Sequence, residues 1–179
     1  MRILVLSNGW TTKISGGDEH ILQVTKYWSK SHDVAFILPS LGYQYSRQLL
    51  HSKVKVHVYN TPLEKPLRGT FKILILYFLR VLRLLLFFPK RYYDVIVASS
   101  HYPYDVIPAI LLKIRFSHSK VVVYFHSLDI PHYGFGFSRI VSVVANFFGG
   151  LLAKLFADLV FTVNTNTANF LLSLGIREE

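Results

Sequence analysis

The sequence predicts an α/β domain of three layers, with helices on both faces of a mostly parallel sheet. Three observations predict it. Short runs rich in Val, Ile and Leu alternate with longer stretches whose apolar residues recur at helical spacing, the pattern of βαβ units. Most of the short runs are apolar throughout, as strands covered on both faces are. The length of 179 residues suits a single domain that buries roughly 70% of its unfolded surface.

Taken in order, Arg2–Leu6 (RILVL) is β-rich and stopped by Ser7-Asn8-Gly9, so it reads as a buried parallel strand. A glycine-bearing loop runs to Gly17. Residues 18–30 (DEHILQVTKYWSK) read as a helix. Ile21, Leu22, Val24 and Trp28 fall near helical spacing, and Asp18 and Glu19 complement the dipole in the first turn. Residues 34–38 (VAFIL) give a second strand stopped by Pro39, and residues 54–59 (VKVHVY) alternate like a third strand at an edge. Residues 69–88 make a long helix ended by Pro89, 94–98 (DVIVA) a fourth strand, 104–116 a helix, and 121–125 (VVVYF) a fifth strand. Residues 138–157 are helical, with a kink or interruption expected at Gly149-Gly150. Residues 159–163 (LVFTV) give a sixth strand, and 165–174 a helix that Gly175 stops.

Composition excludes several classes. Hydrophobic residues make up 51% and charged residues 17%, which excludes a disordered chain. No cysteine occurs. That excludes a disulfide scaffold, a thiolate zinc site, an iron–sulfur cluster and a cysteine nucleophile, and it suits a reducing compartment. The N-terminus lacks the apolar region and cleavage site of a signal peptide. No run of 18 uncharged apolar residues occurs, so a spanning helix is not expected. The longest candidate, residues 71–88, carries Lys72, Arg80 and Arg83.

A net charge of +10 draws the chain to phosphates, nucleic acid or an anionic membrane. Lys65, Arg68, Lys72, Arg80, Arg83, Lys90 and Arg91 have no acid among them. Placed on one helix, Arg68, Lys72, Arg83 and Lys90 fall in one arc with Arg80 at its margin. The opposite arc is almost all Leu, Ile, Phe and Tyr, wider than one face of a sheet needs. This is the pattern of an amphipathic helix in a membrane interface. Arg68, Lys72, Arg80, Arg83 and Lys90 are the expected membrane contacts. A crossover helix with a solvated basic stripe is the plainer alternative, and it would bury Leu82, Leu85 and Leu86. Nucleic acid is not expected as a partner, because no recognised motif occurs and the stretch is too apolar to read a groove.

Ligands of parallel sheets bind at the carboxyl ends of the strands. That rule selects the segments after Leu6, Ala98, Phe125 and Val163. In the first, Gly16-Gly17 opens a helix. Glycines there let a phosphate or sugar approach the backbone and the free N–H groups of the helix start, or they simply turn the chain. His126 ends the fifth strand and either faces a ligand, where it can move a proton, or bonds a backbone carbonyl. His126, Asp129 and His132 are three apart, but chance loop spacing accounts for them and no metal is expected; Asp129 alternatively caps a turn. Asn164 and Thr165 suit sugar hydroxyls or a phosphate, or cap the next helix. His101 and Tyr102 line the same crevice or form a turn with Pro103. No G-x-G-x-x-G fingerprint, phosphate loop or nucleophile elbow occurs, and Gly134-Phe135-Gly136 follows no strand.

Several of these segments, in order, resemble family 4 glycosyltransferases. The start MRILVLSNGW…GGDEHILQVTKYWSKSHDVAFILP resembles the family's opening strand, Gly-Gly loop, acidic helix start and "His-x-Val" strand. YDVIVASSHYP resembles its "DVIHAH" strand, KVVVYFHSLD its "VVxTxH" strand, and LLAKLFADLVFTVNTNTANFLLSLGI its "AD-x-[VI]-x-x-V-S" strand and helix. The resemblance implies a Rossmann-like three-layer α/β/α domain that is one half of a GT-B fold, the acceptor-side half. It implies a C-terminal donor-binding half, in cis or in trans; the glutamate pair of that half, eight residues apart, does not occur in this sequence. It implies transfer of a sugar from a nucleotide sugar with retention, with no cofactor beyond the nucleotide-sugar co-substrate. By position, Gly16 and Gly17 approach the donor phosphates or the acceptor, and His126 lines the reaction centre as the candidate catalytic residue. Asn164 and Thr165 line the cleft, with Asn164 standing where the family often has Ser and Ser99 where it often has His. Many such enzymes use lipid-linked acceptors at the cytoplasmic face of the membrane, which fits the apolar basic helix. The alternative is a non-catalytic module of the same fold that binds a membrane or a polyisoprenoid phosphate.

Overall fold

Successive residues of a strand point to opposite faces of its sheet, and here they build two cores. Leu4, Leu6, Ile37, Ile96, Ala98, Val123 and Phe125 point to one face, and Ile3, Val5, Val34, Phe36, Leu38 and Val97 to the other. The computed structural model describes residues 1–11, 15–87, 89–126 and 136–176. The strands are β1 (Arg2–Leu6), β2 (Asp33–Pro39), β3 (Lys55–Tyr59), β4 (Val95–Ala98), β5 (Lys120–Phe125) and β6 (Leu159–Thr162). They form one parallel sheet in the order β3-β2-β1-β4-β5-β6. The helices are α1 (Gly16–Trp28), α2 (Ser40–Ser46), α3 (Thr70–Leu86), α4 (Pro103–Arg115), α5 (Phe137–Phe156) and α6 (Thr165–Ser173). Ile21 and Leu22 of α1 close one core. Leu84 of α3, Val106, Ala109 and Leu112 of α4, Ala153 of α5 and Leu171 of α6 close the other.

The chain builds outward from β1 to β3, then crosses back to place β4 on the other side of β1. Loops after β1 and β4 therefore diverge and leave a crevice.

Four local features depart from the sequence reading. Helix α1 starts at Gly16 because Ser15 caps it: Ser15 N–H donates to Asp18 Oδ2 at 2.9 Å while Ser15 Oγ accepts from Asp18 N–H at 3.3 Å. The Gly16-Gly17 pair is thus the first turn of the helix. Helix α2 (SLGYQYS) has no long apolar period to announce it. Helix α3 begins at Thr70 and ends at Leu86, so Arg68 and Lys90 lie beyond its ends and the single arc of cations does not form.

Helix α5 runs unbroken through Gly149-Gly150. Its buried stripe is Asn146, Gly149, Gly150 and Ala153. A Cβ on Gly149 would lie 2.0 Å from the His101 carbonyl oxygen, so only glycine lets the helix sit this close to the loop after β4. Its outer side is bare: Phe137, Ile140, Val144, Phe147 and Leu155 are 55–64% exposed. Among the described residues α5, not 71–88, is the helix long and apolar enough to cross a membrane, with 22% of its most apolar window buried.

Candidate functional site

A cavity of about 1140 Å³ opens at the carboxyl ends of β1, β4 and β5. Its floor is polar and comes from the loop after β1, the first turn of α1, Ser99–Tyr102 and His126. Its walls are α3 and α5, each packed against α4 between them.

The loop after β1 is held from below by a buried polar network. Asn8 N–H donates to Asp105 Oδ1 at 2.7 Å, and Asn8 Nδ2 donates to the Tyr104 carbonyl at 2.9 Å. Tyr59 OH donates to Asn8 Oδ1 at 2.5 Å. Arg80 Nη1 donates to the carbonyls of Asn8 and Trp10, each at 2.6 Å. Its other amino group pairs with Glu64, which also accepts from Thr61 Oγ1 at 2.7 Å.

Arg80 is fully buried, which corrects its expected role as a membrane contact. It lies four residues from Leu76 and four from Leu84, and those three are the buried stripe of α3. That spacing is the sequence signal for an internal residue. Arg68, Lys72, Arg83 and Lys90 are exposed. The apolar arc is not covered by the sheet: Leu82 is 43%, Leu85 37% and Leu86 82% exposed.

Asp105 is the second residue missed by sequence reasoning. It stands in the first turn of α4 and reads as a helix-start acid, yet it is wholly buried. Its Oδ2 accepts from Ser100 Oγ at 2.5 Å and Ser99 Oγ at 3.2 Å. Burial raises its pKa to about 7, against the lowering effect of those hydrogen bonds. Above it an aromatic cluster lines the floor: Tyr77 and Tyr104 are 4.0 Å apart by ring centroid, and His101 stacks between Tyr102 and Phe125. Tyr77 OH donates to the Gly9 carbonyl at 3.2 Å, and burial pushes its pKa up to about 12. His101 Nε2 is 2.6 Å from Asn146 Oδ1, which ties the loop after β4 to α5.

His126 lines the cavity, and its Nε2–H donates to the Ser99 carbonyl at 2.8 Å. That bond places the proton on Nε2 and leaves the lone pair on Nδ1 in the neutral ring. Nδ1 has no hydrogen-bond partner among the described residues. Burial, then the nearby His20, lower the pKa of His126, opposed by the Ser99 carbonyl and Asp18. The ring is therefore neutral at neutral pH.

The structure brings Gly17 and His126 together: a Cβ on Gly17 would lie 2.9 Å from His126 Cδ2. Gly16 faces open space. Asn164 caps α6, its Oδ1 accepting from Thr167 N–H at 2.9 Å, and its Nδ2 donates to the His126 carbonyl at 3.4 Å. Thr165 is exposed, and the cavity residue of this segment is Val163. Among the described residues no group of His, Asp or Glu has the geometry to hold a metal. Asp129, His132, Gly134 and Phe135 lie outside the described residues.

Comparison with known proteins agrees with the fold. The sequence profile of Glycosyltransferase Family 4 matches residues 14–179. Among curated proteins none matches the chain. A crystal structure from Listeria monocytogenes, described as a UDP-N-acetylglucosamine 2-epimerase, is similar, with a TM-score of 0.61 and 10% identity. The match covers 99% of this chain and 43% of that one. At that identity the likeness shows the fold: a Rossmann-like three-layer domain spanning less than half the length of the structure it matches.

Proposed function

We propose, for a chain that belongs to glycosyltransferase family 4, that it is the acceptor-side half of a retaining glycosyltransferase. It presents a lipid-linked or glycan acceptor, at the cytoplasmic face of a membrane, to a nucleotide sugar gripped by a donor-binding half in cis or in trans. One observation carries the reading. The cavity joins a polar floor at the carboxyl ends of the strands to apolar helices that stay bare on their outer sides.

Transfer breaks the bond between the anomeric carbon and the donor's diphosphate and makes one to the acceptor oxygen. The acceptor proton leaves with the diphosphate or to solvent, and the new bond forms on the face the old one left. His126 serves as a fixed neutral contact at the reaction centre. Its ring borders the cavity while the Ser99 carbonyl holds its orientation. Gly17 allows that ring to sit against the start of α1, and Gly16 keeps the backbone open to a phosphate or sugar. Asn164 steadies the His126 backbone. Lys72 and Arg83 on α3, with Arg68 and Lys90 beside its ends, meet anionic lipid, at about 1 kcal/mol for each cation near the surface. The bare arcs of α3 and α5 enter the headgroup boundary without crossing it, because the buried stripe of α5 anchors it to the domain.

The test begins with the transcript beyond the codon for Glu179. The expected result is a continuing or adjacent frame encoding a second Rossmann-like half with glutamates eight apart. Membranes from cells expressing that gene should transfer labelled sugar from a nucleotide donor into lipid extract, and His126→Ala should remove the transfer. A stop with no such partner, or transfer indifferent to His126, overturns the catalytic reading in favour of a non-catalytic membrane- or polyisoprenoid-phosphate-binding module.

A further inference from the structure

The walls of the cavity differ in chemistry from its floor. Ile73, Leu74 and Val81 of α3, Ile107 of α4, and Val141 and Ala145 of α5 face the space between the two outer helices. These six offer no side-chain hydrogen bond. A glycan laid against these six would lose its water and find few partners, only the hydroxyls of Thr70, Ser138 and Ser142 standing on the same walls, and each hydroxyl left unpaired costs about 1–3 kcal/mol. A hydrocarbon loses nothing polar and gains by burial.

Most of the polar groups gather at one end, where Ser99, Ser100, Asp18 and His126 stand, while Thr70 of α3 and Ser138 and Ser142 of α5 add single hydroxyls to the walls. The other boundary is Phe78, which lines the cavity and is also 63% exposed on the bare outer face of α3. The apolar lining is therefore continuous with the apolar outside. Going round α3 at about 100° per residue, the buried stripe gives way to the cavity side, then to the bare arc of Phe78, Phe71, Leu82 and Leu86, then to Lys72 and Arg83.

Charge narrows the occupant further. No acid occurs from Lys65 to Tyr93 or along α5. The one buried cation of α3, Arg80, is neutralised by Glu64 inside the fold, so the exposed Lys72 and Arg83, on the side of α3 away from the cavity, and Arg68 before its start are left to the anionic headgroups of a bilayer around the bare arc. A hydrophobic partner helix needs no such field; a lipid phosphate does.

We propose that the cleft between α3 and α5, floored by α4, is a subsite for a single hydrocarbon chain of a lipid-linked acceptor. The chain enters past Phe78 from the bilayer, and the group to be glycosylated lies at the polar end beside His126. This deepens the functional reading above and rests on it for the identity of that polar end. The cleft and the outer face act separately: the bare arcs find the membrane, and the cleft draws one lipid molecule out of it.

The probes are alkyl phosphates used below their micellar concentrations, with no vesicles present. Calorimetry of the whole chain should show dodecyl phosphate binding, octyl phosphate binding more weakly, and butyl and inorganic phosphate not binding. Burial of each methylene should tighten binding about threefold to fourfold. Ala145→Trp or Val81→Trp fills the cleft and should weaken dodecyl phosphate at least tenfold while leaving sedimentation with phosphatidylglycerol vesicles intact. Leu86→Glu with Phe147→Glu should do the reverse. A dodecyl phosphate carrying a terminal diazirine, crosslinked to wild-type protein, should label peptides at Ile73–Val81 and Val141–Ala145; this readout does not depend on how the variants fold. Equal binding of butyl and dodecyl phosphate, or labelling confined to Ile140, Val144 and Leu86, overturns the proposal. So does unchanged affinity in a folded Ala145→Trp chain. Failure of wild-type protein to bind vesicles, with the alkyl phosphate series intact, refutes the membrane reading alone.

Discussion

Replacing Arg80 by methionine separates an internal strut from a surface cation. The guanidinium is fully buried and makes four contacts, two to carbonyls of the loop after β1 and two to Glu64. Methionine fills much of the volume but donates nothing. The Asn8 carbonyl and the Trp10 carbonyl are left without their donor, and Glu64, whose side chain is 3% exposed, keeps only Thr61. Removing one partner of a buried ion pair costs about 3–5 kcal/mol. For a domain of this size that lowers the melting temperature by about 6–20 °C. The double variant Arg80→Met/Glu64→Leu removes the stranded carboxylate too and should recover part of the loss. The remainder belongs to the two carbonyls, at about 1–3 kcal/mol for each one left unsatisfied. The assay is thermal unfolding of the three variants followed by circular dichroism. A loss below about 1 kcal/mol in Arg80→Met, joined to weaker vesicle binding by the still-folded protein, would refute the assignment of Arg80 to the interior.

Three further outcomes follow from close contacts and burial. Gly149→Ala should destabilise by about 1–3 kcal/mol in thermal unfolding although alanine is the better helix former, because its Cβ meets the His101 carbonyl; Gly16→Ala, facing open space, should be neutral. Asp105 has a folded pKa raised to about 7, so its contribution is complete below the unfolded carboxylate range and is lost as pH rises toward 7. The melting temperature of wild type relative to that of Asp105→Asn, measured from pH 4 to 8, should therefore fall as pH rises, and a constant difference would refute the burial argument. His126 has a lowered pKa, so its contribution is present above pH of about 6.5 and is lost on acidification. An NMR titration of its ring should show the midpoint below that of an exposed histidine.

The strands are legible because a sheet covered on both faces demands unbroken apolar runs, and β1, β2, β4 and β5 have them. The carboxyl-end rule then finds the crevice, and with it Gly17 and His126. What the sequence does not carry is which side chains meet there. Asn8 is one polar residue in a turn and gives no sign that Asp105, 97 positions away, fixes its N–H. Arg80 is hidden by its own charge: the composition of the stretch draws it to the surface, while its spacing from Leu76 and Leu84 puts it inside. The Gly149-Gly150 pair looks like a breaker because propensity is local. In the fold the lack of a side chain is what lets α5 reach the loop after β4, a tertiary gain that outweighs the helical penalty.

The basic excess is also sorted by the fold. Asp33, Asp94 and Asp158 stand at or just before the amino ends of β2, β4 and β6. There Asp94 accepts from the Arg2 N–H at 2.6 Å, and Asp158 accepts from the Val121 N–H at 2.7 Å. Asp33 pairs with Lys55 and Arg91, and Asp158 with Lys113 and Lys120. These carboxylates stitch adjacent strands at the edge remote from the cavity and neutralise the cations there. Glu64 and Asp105 are turned inward beneath the loop after β1. With the acids committed to those tasks, α3 and α5 keep cations and bare apolar arcs with no carboxylate between them. A net charge of +10 spread evenly would attract any polyanion weakly. With Lys72 and Arg83 set beside the bare arc of α3, it favours an anionic surface that carries hydrocarbon, because such a partner meets both the charge and the bare arcs at once.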